Sequence, residues 1–558
     1  MIKYILILAF IILSQIQIYS QVENVPPNHP VYNFLKEMKV KRVVSYINED
    51  IPNLSRFEVK RFLDEIESKQ EQLSRTELKL LFRYKFEFNE SLHPDTTTYF
   101  FHPEKDFGTS LSDVFSDKVK YLYAYRGQSA NIFFEGLGHF YFGQTFKPES
   151  NNSTLYDIGF RIRGTVFNHL GYNLEVIKGG SSGNREVAEL IKPEVLTSYK
   201  WLENLENINN YDFTSGYIKY HTEPADEMDI SFQLGREHKT VGYGYGSKLV
   251  LSGDNAPLDF LQFNFDYGMV HFTSIFASTV GEFSSNPDTR YTKYWAFNRL
   301  KLSFKNLIDA GIGESIVYSG RGIELGYATP LGFYKFIEHS LQDRDNANLY
   351  LDFQTNFIDN LEFQGILFLD ENILSNLQDL DKYTNKTAYQ LGFFWYQPLS
   401  LDDFSLVVEY TKIRPFVYSH VDSMNTYTAF GKNLGHRIGP NSDEIFSRLS
   451  YNFNEWIRIN FKYAFVRSGE NVYDVDGNLV KNVGGDIYLN HDSRPENDKA
   501  YFLDGVRINN NIFEIGLRIE PVRDFIFDII YNYNVENNLT TGEKINKSYG
   551  YIRFSLEY

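Results

Sequence analysis

Gly179-Gly180-Ser181-Ser182-Gly183 spells G-x-S-x-G, the spacing in which a hydrolase nucleophile stands on a sharp strand-to-helix turn. A period-two stretch, Leu170 to Ile177, precedes it and helix-like text from Glu186 follows, so a hydrolase using Ser181 is one reading. Paired glycines after Lys178 are also ordinary loop material, which is the reading preferred. Asp474-Val475-Asp476-Gly477-Asn478 has the first half of a calcium loop without its distant glutamate, so a hairpin tip is expected. Gly242-Tyr243-Gly244-Tyr245-Gly246-Ser247-Lys248 lacks the spacing of a phosphate-binding loop and reads as a flexible turn between strands. His238, His271, His339, His420 and His436 lack the i, i+4 pairing of a zinc helix, so neither metal nor cofactor is expected.

The elements that would carry these residues are announced by composition. The 558 residues hold 55 Lys and Arg against 72 Asp and Glu, a formal charge of −17, which argues against nucleic acid as a partner. Cysteine is absent, which excludes thiol catalysis, cysteine zinc sites and disulfide scaffolding. Aromatic residues reach 17%, yet the mean hydropathy is −0.36. Met1-Ile2-Lys3, the apolar run Ile5 to Leu13 and a cleavage point at Ser20-Gln21 read as an export signal over residues 1–20. Residues 21–83 then have a helical period: Val31, Phe34, Leu35 and Met38 form one apolar stripe, and Val59, Phe62, Leu63 and Ile66 another. Ser55 with Glu58 and Ser74 with Glu77 have capping-box spacing. Three short helices are predicted, packed on each other or on the next domain, because helices this short are marginal alone.

From residue 84 to 558 the period is two. Ile158, Phe160 and Ile162 alternate with Asp157, Arg161 and Arg163, and Phe527, Ile529 and Tyr531 alternate with Asp528, Ile530 and Asn532. Strands of about 9–11 residues suit a tilted bilayer crossing. In lipid every backbone polar group must be paired internally, so such strands have to close into a barrel. At roughly 25 residues per strand and loop, the length yields something like 16–20 strands. Tyr549 to Tyr558, an alternating strand that closes on an aromatic residue, looks like the signal read by barrel-insertion machinery. The fold class is therefore an all-β membrane protein: a large closed antiparallel transmembrane β-barrel preceded by an N-terminal helical bundle.

Leu234-Gly235-Arg236-Glu237, Gly242-Tyr243-Gly244, Leu249 to Ser252 and Asn255-Ala256-Pro257-Leu258 resemble a characteristic stretch of the capsule assembly protein Wzi family. A second stretch agrees: Tyr427 to Gly431, Leu434-Gly435-His436 and Gly439-Pro440-Asn441-Ser442. The helical start with Pro52, Ser55, Arg56 and Leu63 is also similar. The resemblance implies a barrel of about 18 strands and a non-enzymatic role: binding capsular polysaccharide or exopolysaccharide and helping to attach it at the cell surface. Arg236, Glu237, Tyr243, Tyr245, Lys248 and His436 are the predicted polysaccharide-binding residues. Arg236, Lys239 and Lys248 would supply the positive field that an acidic glycan needs on an acidic protein. Outer-membrane lipids are the other expected partner, and a monomer the expected state. A substrate-selective outer-membrane porin is the alternative, with the Ser181 hydrolase behind it.

Overall fold

The computed structural model describes residues 21–88, 97–101, 106–127, 129–204, 208–342, 344–370, 379, 381–493 and 498–558. The predicted export signal lies outside the described residues. Eighteen long antiparallel strands close a barrel: β1 Asn131–Lys147, β2 Asn152–Val166, β3 Leu170–Gly183, β4 Asn210–Ala225, β5 Met228–Glu237, β6 Leu258–Tyr267, β7 Val270–Val280, β8 Thr292–Phe304, β9 Ile308–Ser319, β10 Asn346–Thr355, β11 Leu361–Leu369, β12 Thr387–Tyr396, β13 Phe404–Ile413, β14 Ser442–Asn454, β15 Ile457–Glu470, β16 Val506–Val522, β17 Phe525–Asn538 and β18 Lys544–Glu557. The last strand seals against the first, with Ile552 opposite Phe142 and Phe554 opposite Phe140. Tyr558 finishes the seam by donating its N–H to the Gly136 carbonyl at 2.8 Å. A short strand, Tyr123–Arg126, pairs with the start of β1 beyond that seam.

The alternation assigns the two faces. On β2, Ile158 is 74% exposed on the outer wall, while Arg163 on the other face is buried against Glu135 and Glu23. Apolar rings meet lipid and charged groups meet each other inside, as the period-two text predicts. No helix among the described residues is long and apolar enough to cross a membrane. Connections alternate in length around the barrel. Short turns such as residues 225–228 and 267–270 lie at one end, and long loops 184–209, 238–257, 320–345, 414–441 and 471–505 at the other. Outer-membrane barrels keep short turns in the periplasm and long loops outside.

Helices α1 Val31–Val40, α2 Arg56–Glu67 and α3 Arg75–Phe88 enter the barrel from the short-turn end. Both predicted capping boxes form: Ser55 caps α2 through Glu58, and the Ser74 and Glu77 side chains each bond the other's backbone N–H. The stripes Phe34, Leu35, Met38, Val59, Leu63 and Ile66 share one core with Phe394, Tyr396, Val407 and Phe446 of the lumen wall. Helix α3 extends to Phe88, past residue 83, because Tyr84 and Phe88 still belong to its buried stripe. The first full-length strand begins only at Asn131: α4, Phe107–Asp113, and a parallel pair, Thr97–Tyr99 with Val119–Tyr121, occupy the described part of the interval.

Candidate functional site

The stretch joining β5 to β6 turns inward. Gly242 and Gly244 hold φ of +100° and +134°, a region that side-chain-bearing residues rarely adopt, and this lets the chain fold back into the lumen. Val241, Leu249, Val250 and Leu251 are wholly buried against Trp295, Phe297, Tyr350 and Phe368 of the wall. The backbone of the glycine run is saturated by distant groups. Gly242 N–H donates to the Asp50 carbonyl at 2.9 Å and Gly244 N–H to Gln364 Oε1 at 3.1 Å. The Glu409 carboxylate accepts from the N–H of Tyr245 and of Gly246, at 2.7 and 3.0 Å. Residues 242–248 are therefore no flexible turn. They form an internal brace joining wall and helical bundle, because buried peptide groups require partners that only those elements supply.

Ion pairs continue the brace below. Lys36 and Lys39 of α1 reach Glu49 at 2.5 and 3.1 Å, and both also reach Glu362 of β11. Burial opposes ionisation of Glu49, but the two ammonium groups outweigh it and hold the carboxyl below its usual range. Arg299 of β8 pairs with both Asp50 and Asp352, and Lys301 lies 2.9 Å from Asp50. The lumen is thus filled by the bundle from one end and by residues 238–257 from the other.

The six predicted binding residues are dispersed by this arrangement. Arg236 leaves the outer face of β5, 2.7 Å from Asp259, whereas its neighbour Glu237 turns into the lumen beside Lys239 at 2.9 Å. Tyr243 is buried, its ring 5.2 Å from Arg299. The Tyr245 hydroxyl donates to Glu362 at 2.9 Å. Lys248 donates to the Gly242 carbonyl at 2.7 Å, and burial pulls its ammonium down to about 8. His436 is wholly buried in loop 414–441, 3.6 Å from Glu444, and burial together with Arg437 pushes its imidazole well below the ordinary range. Tyr243, Tyr245 and Lys248 share the inward-turned stretch, and Glu237 enters the lumen just before it. His436 packs beside the same stretch, its N–H donated to the Tyr418 hydroxyl that in turn bonds the Leu249 carbonyl at 2.8 Å, whereas Arg236 faces outward. Of the cations expected to face a glycan, Arg236 and Lys239 are each paired with a carboxylate, and Lys248 points back to the Gly242 carbonyl within the inward-turned stretch, so none is set out toward the long-loop surface.

The remaining motifs also have definite places. Ser181 lies in the ladder of β3 opposite Leu155, with its N–H donated to the Asn209 carbonyl at 2.8 Å, so it occupies extended backbone and not an elbow. Asp474 Oδ1 accepts from the N–H of Asp476 and Asn478 at 2.9 and 2.8 Å, closing the predicted hairpin tip with its own carboxylate. One group of metal-type side chains is present among the described residues: His221, Glu223 and Asp229 at the short-turn end. There His221 Nε2 meets Asp229 at 2.5 Å and Arg61 approaches Glu223 at 3.8 Å, so both carboxylates already have protein partners.

Chain spacing concealed a different group at the long-loop end. Tyr199, half-exposed, lies 6.0 Å from the Phe283 ring, and exposed Arg290 lies 5.0 Å above the Tyr199 ring while donating to its hydroxyl at 2.7 Å. Tyr199 comes from loop 184–209, Phe283 and Arg290 from residues 281–291. About ninety positions separate the partners, so no motif window could have joined them; their one local signal was an aromatic or cation in loop text.

A barrel of eighteen strands with helices in its lumen and long external loops also has known relatives. The family model of capsule assembly protein Wzi matches residues 139–488. The chain belongs to the Wzi family. Wzi of Escherichia coli, described as an outer membrane protein involved in group 1 capsule assembly and a carbohydrate-binding β-barrel, shares the fold at 12% identity and a TM-score of 0.54 over 96% of this chain and 98% of that one. OprD of Pseudomonas aeruginosa aligns at 11% identity and a TM-score of 0.42, covering 76% of this chain and 94% of its own. OccAB2 of Acinetobacter baumannii aligns at 10% and 0.44, covering 76% and 98%. No curated protein sequence matches. The family assignment agrees with the resemblance carried by Leu234 to Leu258 and Tyr427 to Ser442.

Proposed function

We propose that this outer-membrane barrel holds capsular polysaccharide or exopolysaccharide on its external loops and helps attach it at the cell surface, without catalysing a reaction. The observation that carries this reading is the filled lumen: helices α1 to α3 and residues 238–257 interlock inside the wall, which suits a fixed platform better than a substrate-selective porin. Membership of the Wzi family supports it. Tyr199, Phe283 and Arg290 are the groups best suited to touch sugar, since aromatic faces stack on pyranose rings and a guanidinium can bond hydroxyls or carboxylates. Glu237, Tyr243, Tyr245 and Lys248 then keep the platform rigid instead of touching the glycan. In this reading the chain is a monomer, exported by residues 1–20 and inserted through Tyr549 to Tyr558.

A glycan array probed with purified protein tests the proposal. Binding to at least one acidic or neutral bacterial polysaccharide is expected, with a loss of about tenfold, or ~1.4 kcal/mol, in Tyr199→Ala/Arg290→Ala. An array that stays blank for the wild type overturns the reading. Steady single-channel conductance in planar bilayers would instead revive the porin.

A further inference from the structure

Strands β7, β8 and β9 carry an anomaly on the wrong side of the wall. Ser274, Asn298 and Glu314 stand opposite one another in one row of the ladder. Leu300, Leu302 and Phe304, two, four and six residues beyond Asn298, are exposed on the outer wall, whereas Arg299 and Lys301 bond Asp50 inside. The polar row therefore faces outward, at a height where a bare wall would set a carboxylate against hydrocarbon.

The connection from β9 to β10 covers that row. It holds two short helices, α8 Leu325–Ala328 and α9 Tyr334–Ser340 (numbered after α5 Arg185–Ile191, the 3-10 turn α6 Pro193–Thr197 and α7 Tyr199–Glu203). Asn298 Nδ2 donates to the Gly332 carbonyl at 3.0 Å, and Tyr334 N–H donates to Glu314 Oε2 at 2.8 Å. Tyr327 and Tyr334 are buried against Ala296, Ile316 and Tyr318 of the outer wall. The open side of the same stretch is mainly apolar: Leu325 is 78% exposed, Leu331 86%, Phe333 69% and Phe336 75%, with Lys335, which pairs with Glu338, and His339 the charged or titratable side chains also exposed there.

We propose that Leu325 to Leu341 is set into the outer leaflet of the membrane, with Leu331, Phe333 and Phe336 in contact with lipid acyl chains. Three observations select that occupant. The exposed apolar face continues the lipid-facing surface of Leu300, Leu302 and Phe304 upward along the same strands. The segment neutralises a polar row that matters only if hydrocarbon reaches it. Four side chains are too few for a stable contact with a second copy, which takes about 20–30 residues a side. In water the same four groups would form an uncovered patch of the kind monomers avoid.

The chain has no cysteine, so a single introduced thiol can carry a unique nitroxide label. Full-length protein labelled at Phe336→Cys or, separately, Leu331→Cys is reconstituted into liposomes, and heat-modifiable migration confirms a folded barrel. Collisions with oxygen and with a water-soluble nickel chelate are then measured. Both labels are expected to favour oxygen severalfold, as a label at Leu300→Cys does, and to differ from one at the fully exposed hairpin residue, Val475→Cys. Nickel access equal to that at Val475→Cys overturns the proposal. Exclusion of both reagents with dipolar broadening overturns it too, in favour of a second copy. If Leu300→Cys itself proves nickel-accessible, the barrel face has been misassigned, a failure distinct from that of the segment.

Discussion

Two long connections leave the same end of the barrel and fold in opposite directions. Residues 238–257 turn inward, bury Val241, Leu249, Val250 and Leu251, and bond their backbone to wall and bundle. Residues 325–341 turn outward, bury Tyr327 and Tyr334 against the wall, and leave Leu331, Phe333 and Phe336 open. Both are rich in apolar residues, so hydrophobicity alone does not predict which way a loop goes. The difference lies in what waits on each side: hydrogen-bond acceptors inside, namely the Asp50 carbonyl, the Gln364 amide and the Glu409 carboxylate, and a polar row outside. A loop follows the unsatisfied hydrogen-bonding groups of the surface it covers, and its apolar residues then meet protein or lipid accordingly.

The comparison is broken most severely at Arg299. In Arg299→Ala the carboxylates of Asp50 and Asp352 lose their buried guanidinium, and a cost of about 3–5 kcal/mol is expected in urea unfolding of the detergent-solubilised protein. A cost below about 1 kcal/mol would mean that the inward brace is not held electrostatically.

A smaller effect is expected from pH. The folded state holds His436 well below its ordinary value of 6.5, with Glu444, Arg437 and Tyr418 facing it. The unfolded chain therefore binds the extra proton first as pH falls below about 6.5, and stability that is complete above that value declines by up to ~1.4 kcal/mol per pH unit. Protection factors of amides in loop 414–441, which take out the intrinsic slowing of exchange in acid, should fall between neutral pH and about 5.5. His436→Gln should flatten this dependence; an unchanged profile would assign it elsewhere.

The smallest change sharpens the contrast. Leu331→Lys on the outward segment should cost only about 0–1 kcal/mol, since a lysine near the interface reaches the headgroups. The same exchange at Val250, inside, should cost several times more, because a buried ammonium there finds no prepared partner. Equal costs in thermal unfolding would erase the distinction between the two connections.

Much of the scaffold was legible in residue order. Alternation at Ile158 to Ile162 and the stripes at Phe34 and Val59 report local periodicities, which a wall and a helix must satisfy wherever they lie. Ser55 with Glu58 and Asp474 with Gly477 are equally local and appeared as expected. The candidate site was far less legible. Gly242 to Lys248 read as a mobile turn because its partners, Asp50, Gln364 and Glu409, are over a hundred residues away. Tyr199 and Arg290 gave no joint signal for the same reason, and Ser181 carried a hydrolase spacing that its extended backbone does not use.

Period-two text with apolar rings on one side was enough to require strands, and strands in lipid are enough to require closure, because each follows from chemistry within a few neighbouring residues. Which groups meet across the lumen, which loop fills it and which one lies along its outer wall depend on register around eighteen strands. That register sets Arg299 where Asp50 meets it in the lumen, and the fold-back of the β9–β10 connection sets Gly332 on Asn298 outside.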